Sequence, residues 1–304
     1  MKPIRQSMRA AGFVMAGCVL LALSGCGGNI PGNVSPDLTQ ASSIREKLDA
    51  GGGGGGVEVA DPTGWATLAG RFTLDGDPPS PTEIIATGAD KNYCESGGAL
   101  YDRSLQVDSA TRGVQSVVLF LKSRIPKEKE SLWINPEITF PEPAVIDQKL
   151  CLFTSSVFTM HTSQSLVIKN SDARPHNTNI DGGPNLQIAS NSETTVASLK
   201  ATGVPTRISC AIHPWMASHL LVQKQPYFAA TAKDGTFTID KIPAGVELEF
   251  MIWQPAANVL SDKYVASAKL DGKDVKISNG KVKVNVAPGA TANLDVTLSA
   301  SAFQ

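Results

Sequence analysis

The sequence predicts an all-β protein made of two small antiparallel sandwiches. Two observations carry that expectation. Runs rich in β-branched and apolar residues alternate with turn signals, and no stretch keeps a helical period of useful length. The runs are ATLAGRFTL before Asp75-Gly76, VQSVVLFLK, SLVIKN, GTFTI after Asp234-Gly235, and VKVNV before Pro288-Gly289. Such dipeptides reverse the chain because glycine adopts backbone angles that other residues avoid.

The chain has 304 residues, with 27 Lys and Arg against 28 Asp and Glu, a net charge of -1 and no block of either sign. That length suits about two domains. The charge lacks the footprint of a nucleic-acid binder, so no nucleic-acid partner is expected.

Residues 1 to 25 read as an export signal. Lys2, Arg5 and Arg9 lead into an apolar run from residue 10 to 23, too short to span a bilayer comfortably. The run ends in Leu23-Ser24-Gly25-Cys26, which resembles the bacterial lipoprotein cleavage box. The resemblance implies that Cys26 becomes an acylated N-terminus and anchors the chain to a membrane. Gly27 stands where Asp often marks inner-membrane retention, which favours the outer membrane, facing the periplasm or the cell surface. Residues 26 to 64 include six consecutive glycines, Gly51 to Gly56, and are expected to be a flexible tether.

The stretch AATAKDGTFTIDKIPAGVELEFMIW, residues 229 to 253, resembles the carboxypeptidase regulatory-like (transthyretin-like) β-sandwich, in which DGxFxIxxIPxG recurs. Those domains open with a strand like GxVxxxGxP. Gly70-Arg71-Phe72-Thr73-Leu74-Asp75-Gly76-Asp77-Pro78 fits that opening but lies far upstream. The resemblance therefore implies one sandwich from residues 65–123 and 227–304, with 124–226 inserted as a second domain. Three small units in a row is the alternative. Pro126, Pro136, Pro141 and Pro143 punctuate the entry to the insert.

Within the insert lies Cys210-Ala211-Ile212-His213-Pro214-Trp215-Met216, directly after the strand TRIS. Type 1 copper chemistry asks for one thiolate and two imidazoles near a plane, with a weak thioether on the axis. Cys210, His213 and Met216 supply three of these from one turning loop, and His176, just past SLVIKN, supplies the second imidazole. Zinc is the poorer reading, because Cys-His-His-Met lacks the hard or all-thiolate set that structural zinc prefers.

Pro-His-Asn, a gap of some thirty residues, and Cys-x-x-His-Pro-aromatic-Met together resemble the amicyanin- and plastocyanin-like branch of the cupredoxin family, over about residues 143 to 225. The resemblance implies a Greek-key sandwich holding one type 1 copper ion on His176, Cys210, His213 and Met216. It also implies that Asn177 ties the two ligand loops together. The chain departs from the pattern before the cysteine, where Arg207-Ile208-Ser209 replaces a common aromatic residue. His161 and His219 are read as non-ligands. As a whole, a cupredoxin-like insert beside a regulatory-like sandwich resembles exported bacterial proteins labelled methylamine-utilisation-like.

With Cys210 committed to metal and Cys26 to lipid, Cys94 and Cys151 are left either to pair, as an exported protein permits, or to stay as two buried thiols. No GxSxG elbow, HExxH helix or spaced pair of carboxylates is present, so no enzyme is expected. The expected function is single-electron transfer through Cu(II)/Cu(I), with the redox partner, a cytochrome or a dehydrogenase, left open. The alternative is a surface binding or structural module that stores or delivers copper or binds carbohydrate.

Overall fold

A computed structural model describes residues 60–304, which belong to one compact unit. The export signal, Cys18, Cys26 and the tether up to residue 59 lie outside the described residues. Among the described residues no helix is long and apolar enough to cross a membrane. Among the described residues the two α-helices, Lys91–Cys94 and Glu130–Trp133, are single turns, and the chain is an all-β protein.

Trp65–Asp75 alternates buried and less buried residues, the mark of a strand with one face in a core. It pairs antiparallel with Thr236–Pro243 and parallel with Thr291–Ser299, so the two ends of the described chain meet in one five-stranded sheet. The turn before Thr236–Pro243 depends on Gly235, at φ +84°, where an added Cβ would sit 2.1 Å from the Phe72 carbonyl oxygen. The facing sheet contains Phe228–Ala230, Val118–Leu121 and Leu248–Gln254 in that order. Leu68, Phe72, Ile239 and Leu294 from one sheet meet Leu119, Phe250 and Ile252 from the other in a common core.

Residues between these strands form two more large sheets, beside two small two-stranded ones. One orders Ser192–Val196, Leu166–Asn170, Ala144–Lys149 and Leu152–Phe153. The other orders Asn185–Ile188, His176–Ile180, Thr206–Ser209, Ala217–Gln223 and Val157–His161. Ile146, Leu166 and Ile168 of the first pack on Ile180, Ile208, Leu220 and Val222 of the second.

A third cluster joins the sandwiches. Val118, Phe120, Met251 and Trp253 point away from the first core and meet Val157 and Leu221, which point away from the second. The order is therefore four sheet layers with three apolar interiors. Both inner sheets are buried on both faces, which is why Val118–Leu121 is continuously apolar and continuously buried instead of alternating.

Two short segments pack differently from the expected boundaries. Ala86, Cys94 and Leu100, expected with residues 65–123 in the first sandwich, are buried in the second core, to which Cys94 is tied by a disulfide to Cys151. Ile125 and Trp133, expected in the insert, are buried in the first core. There the Tyr227 hydroxyl donates to the Trp133 carbonyl at 2.7 Å and accepts from the Asn135 N–H at 3.2 Å. Both exchanges follow from side-chain chemistry that runs across the chain order: a covalent link in one case, a large indole in the other.

Candidate metal centre

Antiparallel pairing sets the site. Asn179 lies opposite Ser209 and Ile180 opposite Ile208, so the start of His176–Ile180 and the end of Thr206–Ser209 share one end of the sheet. This brings His176 next to the loop that begins at Cys210. Ser209 also lies opposite Ala217, making residues 210–216 a hairpin loop between adjacent strands. The Cys210 N–H donates to the Met216 carbonyl at 3.3 Å and the Met216 N–H to the His213 carbonyl at 2.9 Å. Pro214, the residue after His213, has the fixed φ that suits the second position of such a turn.

The donor atoms of His176, Cys210 and His213 all lie within 4.8 Å of one another. His176 is 0% exposed, Cys210 2%, His213 2% and Met216 0%. His176 Nδ1 faces His213 Nδ1 at 2.8 Å, and Cys210 Sγ lies 4.0 Å from His213 Nδ1. The Asn177 N–H points at the same sulfur from 3.4 Å.

Each imidazole turns its other nitrogen to a carboxylate. His176 Nε2 is 2.6 Å from Asp172 Oδ2, and His213 Nε2 is 3.3 Å from Asp90 Oδ2. Carboxylate–imidazole pairs of this kind fix the ring orientation and tautomer of metal ligands. Asp172 also accepts the N–H groups of Leu150 at 2.5 Å and Cys151 at 2.8 Å.

The electrostatics follow from these contacts. Burial lowers the pKa of His176, but the hydrogen bond to Asp172 and the neighbouring Cys210 sulfur outweigh it, and His176 is pushed up to about 9. Burial pushes His213 down, the positive His176 beside it acts in the same direction, and Asp90 only partly opposes them. The Nδ1–Nδ1 contact needs one proton between the two rings, and the raised His176 and lowered His213 favour His176 as its holder. Burial raises Cys210, yet its hydrogen bonds to His176 and the Asn177 N–H hold it below the usual thiol value. Burial also raises Asp172, and the hydrogen bonds from His176, Cys151 and Leu150 more than reverse that.

A soft thiolate and two imidazole Nδ1 atoms aimed at a common point, shielded from water, form a donor set that fits copper. Met216 is fully buried in the same apolar cluster as Cys210. Metal uptake there must displace the proton between the two Nδ1 atoms and any proton on the thiol.

His219 packs against Trp253 at 4.7 Å, on the sheet face away from the second core. His161 stacks on Phe140 and bonds to Ser163 Oγ and the Lys224 carbonyl. Cys94 and Cys151 form a disulfide with a Cα separation of 5.2 Å, and their sulfurs lie within 4.8 Å of a His213 ring nitrogen.

Sequence reasoning missed Asp172 and Asp90. Asp172 stands four residues before His176 in an unremarkable polar turn, although an acidic residue close to a ligand histidine is itself a signal for a carboxylate partner. Asp90 is remote from both ligand loops in the chain.

No family model matches the chain, and no curated protein does. Among solved structures it is similar to amicyanins. A reduced Cu(I) form of a point variant of amicyanin at pH 4 aligns at 15% identity over 34% of this chain and 98% of that chain, with a TM-score of 0.24. Amicyanin from Paracoccus versutus (Thiobacillus versutus) aligns at 13% identity over 34% of this chain and 97% of that chain, also with a TM-score of 0.24.

Proposed function

We propose that this chain is an exported, lipid-anchored carrier of single electrons that holds one type 1 copper ion and catalyses no reaction of its own. The observation that supports the reading is the buried convergence of His176, Cys210 and His213 donor atoms within 4.8 Å. A copper ion in that position supplies the Cu(II)/Cu(I) couple. The chain supplies everything else. Cys210 would offer a thiolate, His176 and His213 their Nδ1 atoms, and Met216 a thioether. Asn177, between the loops, and the two carboxylates behind the imidazoles hold the donors in place whichever oxidation state is present. Little rearrangement then accompanies the gain or loss of an electron.

In this reading the sandwich made of Trp65–Asp75 and the C-terminal strands is a regulatory-like scaffold, and acylated Cys26 keeps the protein on the periplasmic side or surface of the outer membrane. The redox partner, a cytochrome or a dehydrogenase, is left open. Adding Cu(II) to the purified chain is expected to give an intense visible band that Cys210→Ala removes. Met216→Leu is expected to keep copper and raise the potential. Colourless copper uptake that is unaffected by Cys210→Ala overturns the type 1 reading. Cys26→Ser is expected to move the chain from the membrane fraction to the soluble one.

A further inference from the structure

One helical turn that contributes no ligand touches both ligand loops. Asp90 divides its carboxylate, with Oδ1 2.8 Å from Arg174 Nε and Oδ2 3.3 Å from His213 Nε2. Arg174 lies two residues before His176, so this one side chain bridges the loops of both imidazoles. Three residues after Asp90, the Tyr93 ring lies under the Arg174 guanidinium at 4.8 Å. The Tyr93 hydroxyl accepts the Ala173 N–H at 3.0 Å and donates to Asp172 Oδ1 at 3.1 Å, the carboxylate that holds His176. The next residue, Cys94, is bonded to Cys151, whose N–H also donates to Asp172 and whose carbonyl accepts the Trp215 indole N–H at 3.2 Å.

The side-chain contacts of Asp90 and Tyr93 end on the loops of the two imidazoles or on the carboxylate that orients His176. The turn closes its own backbone hydrogen bonds, Cys94 N–H to the Asp90 carbonyl and Glu95 N–H to the Lys91 carbonyl, both at 2.9 Å, but four helical residues without a side-chain cap do not hold a shape alone. The disulfide supplies that constraint. His213 is 2% exposed, with His176 and Trp215 packed against its ring and Asp90 at its Nε2.

We propose that Asp90 is a positioning residue of the metal centre, orienting His213 with Nδ1 toward His176 and Cys210, and that the Cys94–Cys151 disulfide holds Asp90 against it. The proposal rests on the reading of these residues as a metal site, but its first readout does not require metal.

In the metal-free full chain, carbethoxylation by diethyl pyrocarbonate is followed at each histidine by peptide mass spectrometry, with His161 as internal reference. His213 is expected to be protected in the wild type and to react severalfold faster in Asp90→Ala and in the Cys94→Ser/Cys151→Ser double variant. Asp90→Asn, whose amide oxygen accepts the same N–H, is expected to stay protected. Copper affinity, measured against a competing chelator, is expected to fall about 10- to 100-fold in Asp90→Ala and far less in Asp90→Asn. Circular dichroism and urea midpoints identify any variant that has simply unfolded. Equal protection of His213 in Asp90→Ala and wild type overturns the proposal, as does an equal loss of copper affinity in Asp90→Ala and Asp90→Asn. A wild type that protects His213 yet takes up no copper overturns the copper reading and leaves the positioning of His213 supported.

Discussion

The side-chain oxygen of Asn177, the residue after His176, accepts the N–H of Ala211, the residue after Cys210, at 2.5 Å. It also lies 3.4 Å from the Ile212 N–H, while the Asn177 amide nitrogen donates to Asn185 Oδ1 at 2.8 Å. One side chain thus clamps the two loops that carry the imidazoles and the thiol. Asn177→Ala removes the acceptor of the Ala211 N–H, at a cost of about 0.5–1.5 kcal/mol because Ala211 is exposed and water can take its place. Urea denaturation is expected to record that loss, and hydrogen exchange at the Ala211 amide is expected to speed up. Unchanged exchange there would remove Asn177 from the account of how the loops are held.

Leu221 is fully buried between the two inner sheets. Truncating a side chain of this kind costs about 2–5 kcal/mol. If the interlayer cluster couples the sandwiches, Leu221→Ala lowers hydrogen-exchange protection in both Leu248–Gln254 and Leu166–Asn170, strands on opposite sides of it. Loss confined to one of them would mean that the halves unfold separately.

Gly235 sits at φ +84°, with the Phe72 carbonyl oxygen and the Val114 nitrogen where a side chain would begin. Neither neighbour is a flexible side-chain tip that could move aside. Gly235→Ala is expected to destabilise the chain by at least about 1–3 kcal/mol, the cost of a forced backbone conformation. A thermal midpoint equal to that of the wild type would contradict this.

Burial pushes the Tyr227 phenol up to about 12. Below pH 10 the phenol is neutral whether the chain is folded or unfolded, and nothing is lost. Between about pH 10 and 12 the unfolded chain ionises while the folded one does not, so stability falls as pH rises through that window, by roughly 2–3 kcal/mol. Lysines titrate over the same range, so the measurement is the difference between the wild type and Tyr227→Phe in urea denaturation at pH 9 and pH 11.5. A difference that stays constant between the two would contradict the expectation.

The parts of the fold and site that were legible in the sequence are those written locally. Cys210, His213 and Met216 fall within one seven-residue loop, and the Asp-Gly turn at Gly235 follows from the backbone freedom of glycine. The pairing of Trp65–Asp75 with strands near the other end of the chain is announced only by resemblance, since nothing in its own residues names a partner. Asp90 is less legible still. It reaches His213 across 123 positions through a turn with no strong propensity, held there by the Cys94–Cys151 disulfide and by contacts of Asp90 and Tyr93 with residues 172–174. The layer order had a signal that alternation hides: VLFL at Val118–Leu121 and LLV within Ala217–Gln223 are unbroken apolar runs, as expected of strands with no wet face.

Those two runs bear on how the chain can be divided. A fragment cut at the ends of the insert would carry Val157 and Leu221 on an open face, and the remainder would carry Phe120 and Trp253 on another. Each would present a water-facing apolar surface of the kind that draws proteins into aggregates. Severed pieces are therefore expected to precipitate or to seek each other out when mixed, and a metal-binding half prepared alone would report the behaviour of its wound as much as that of its copper loop.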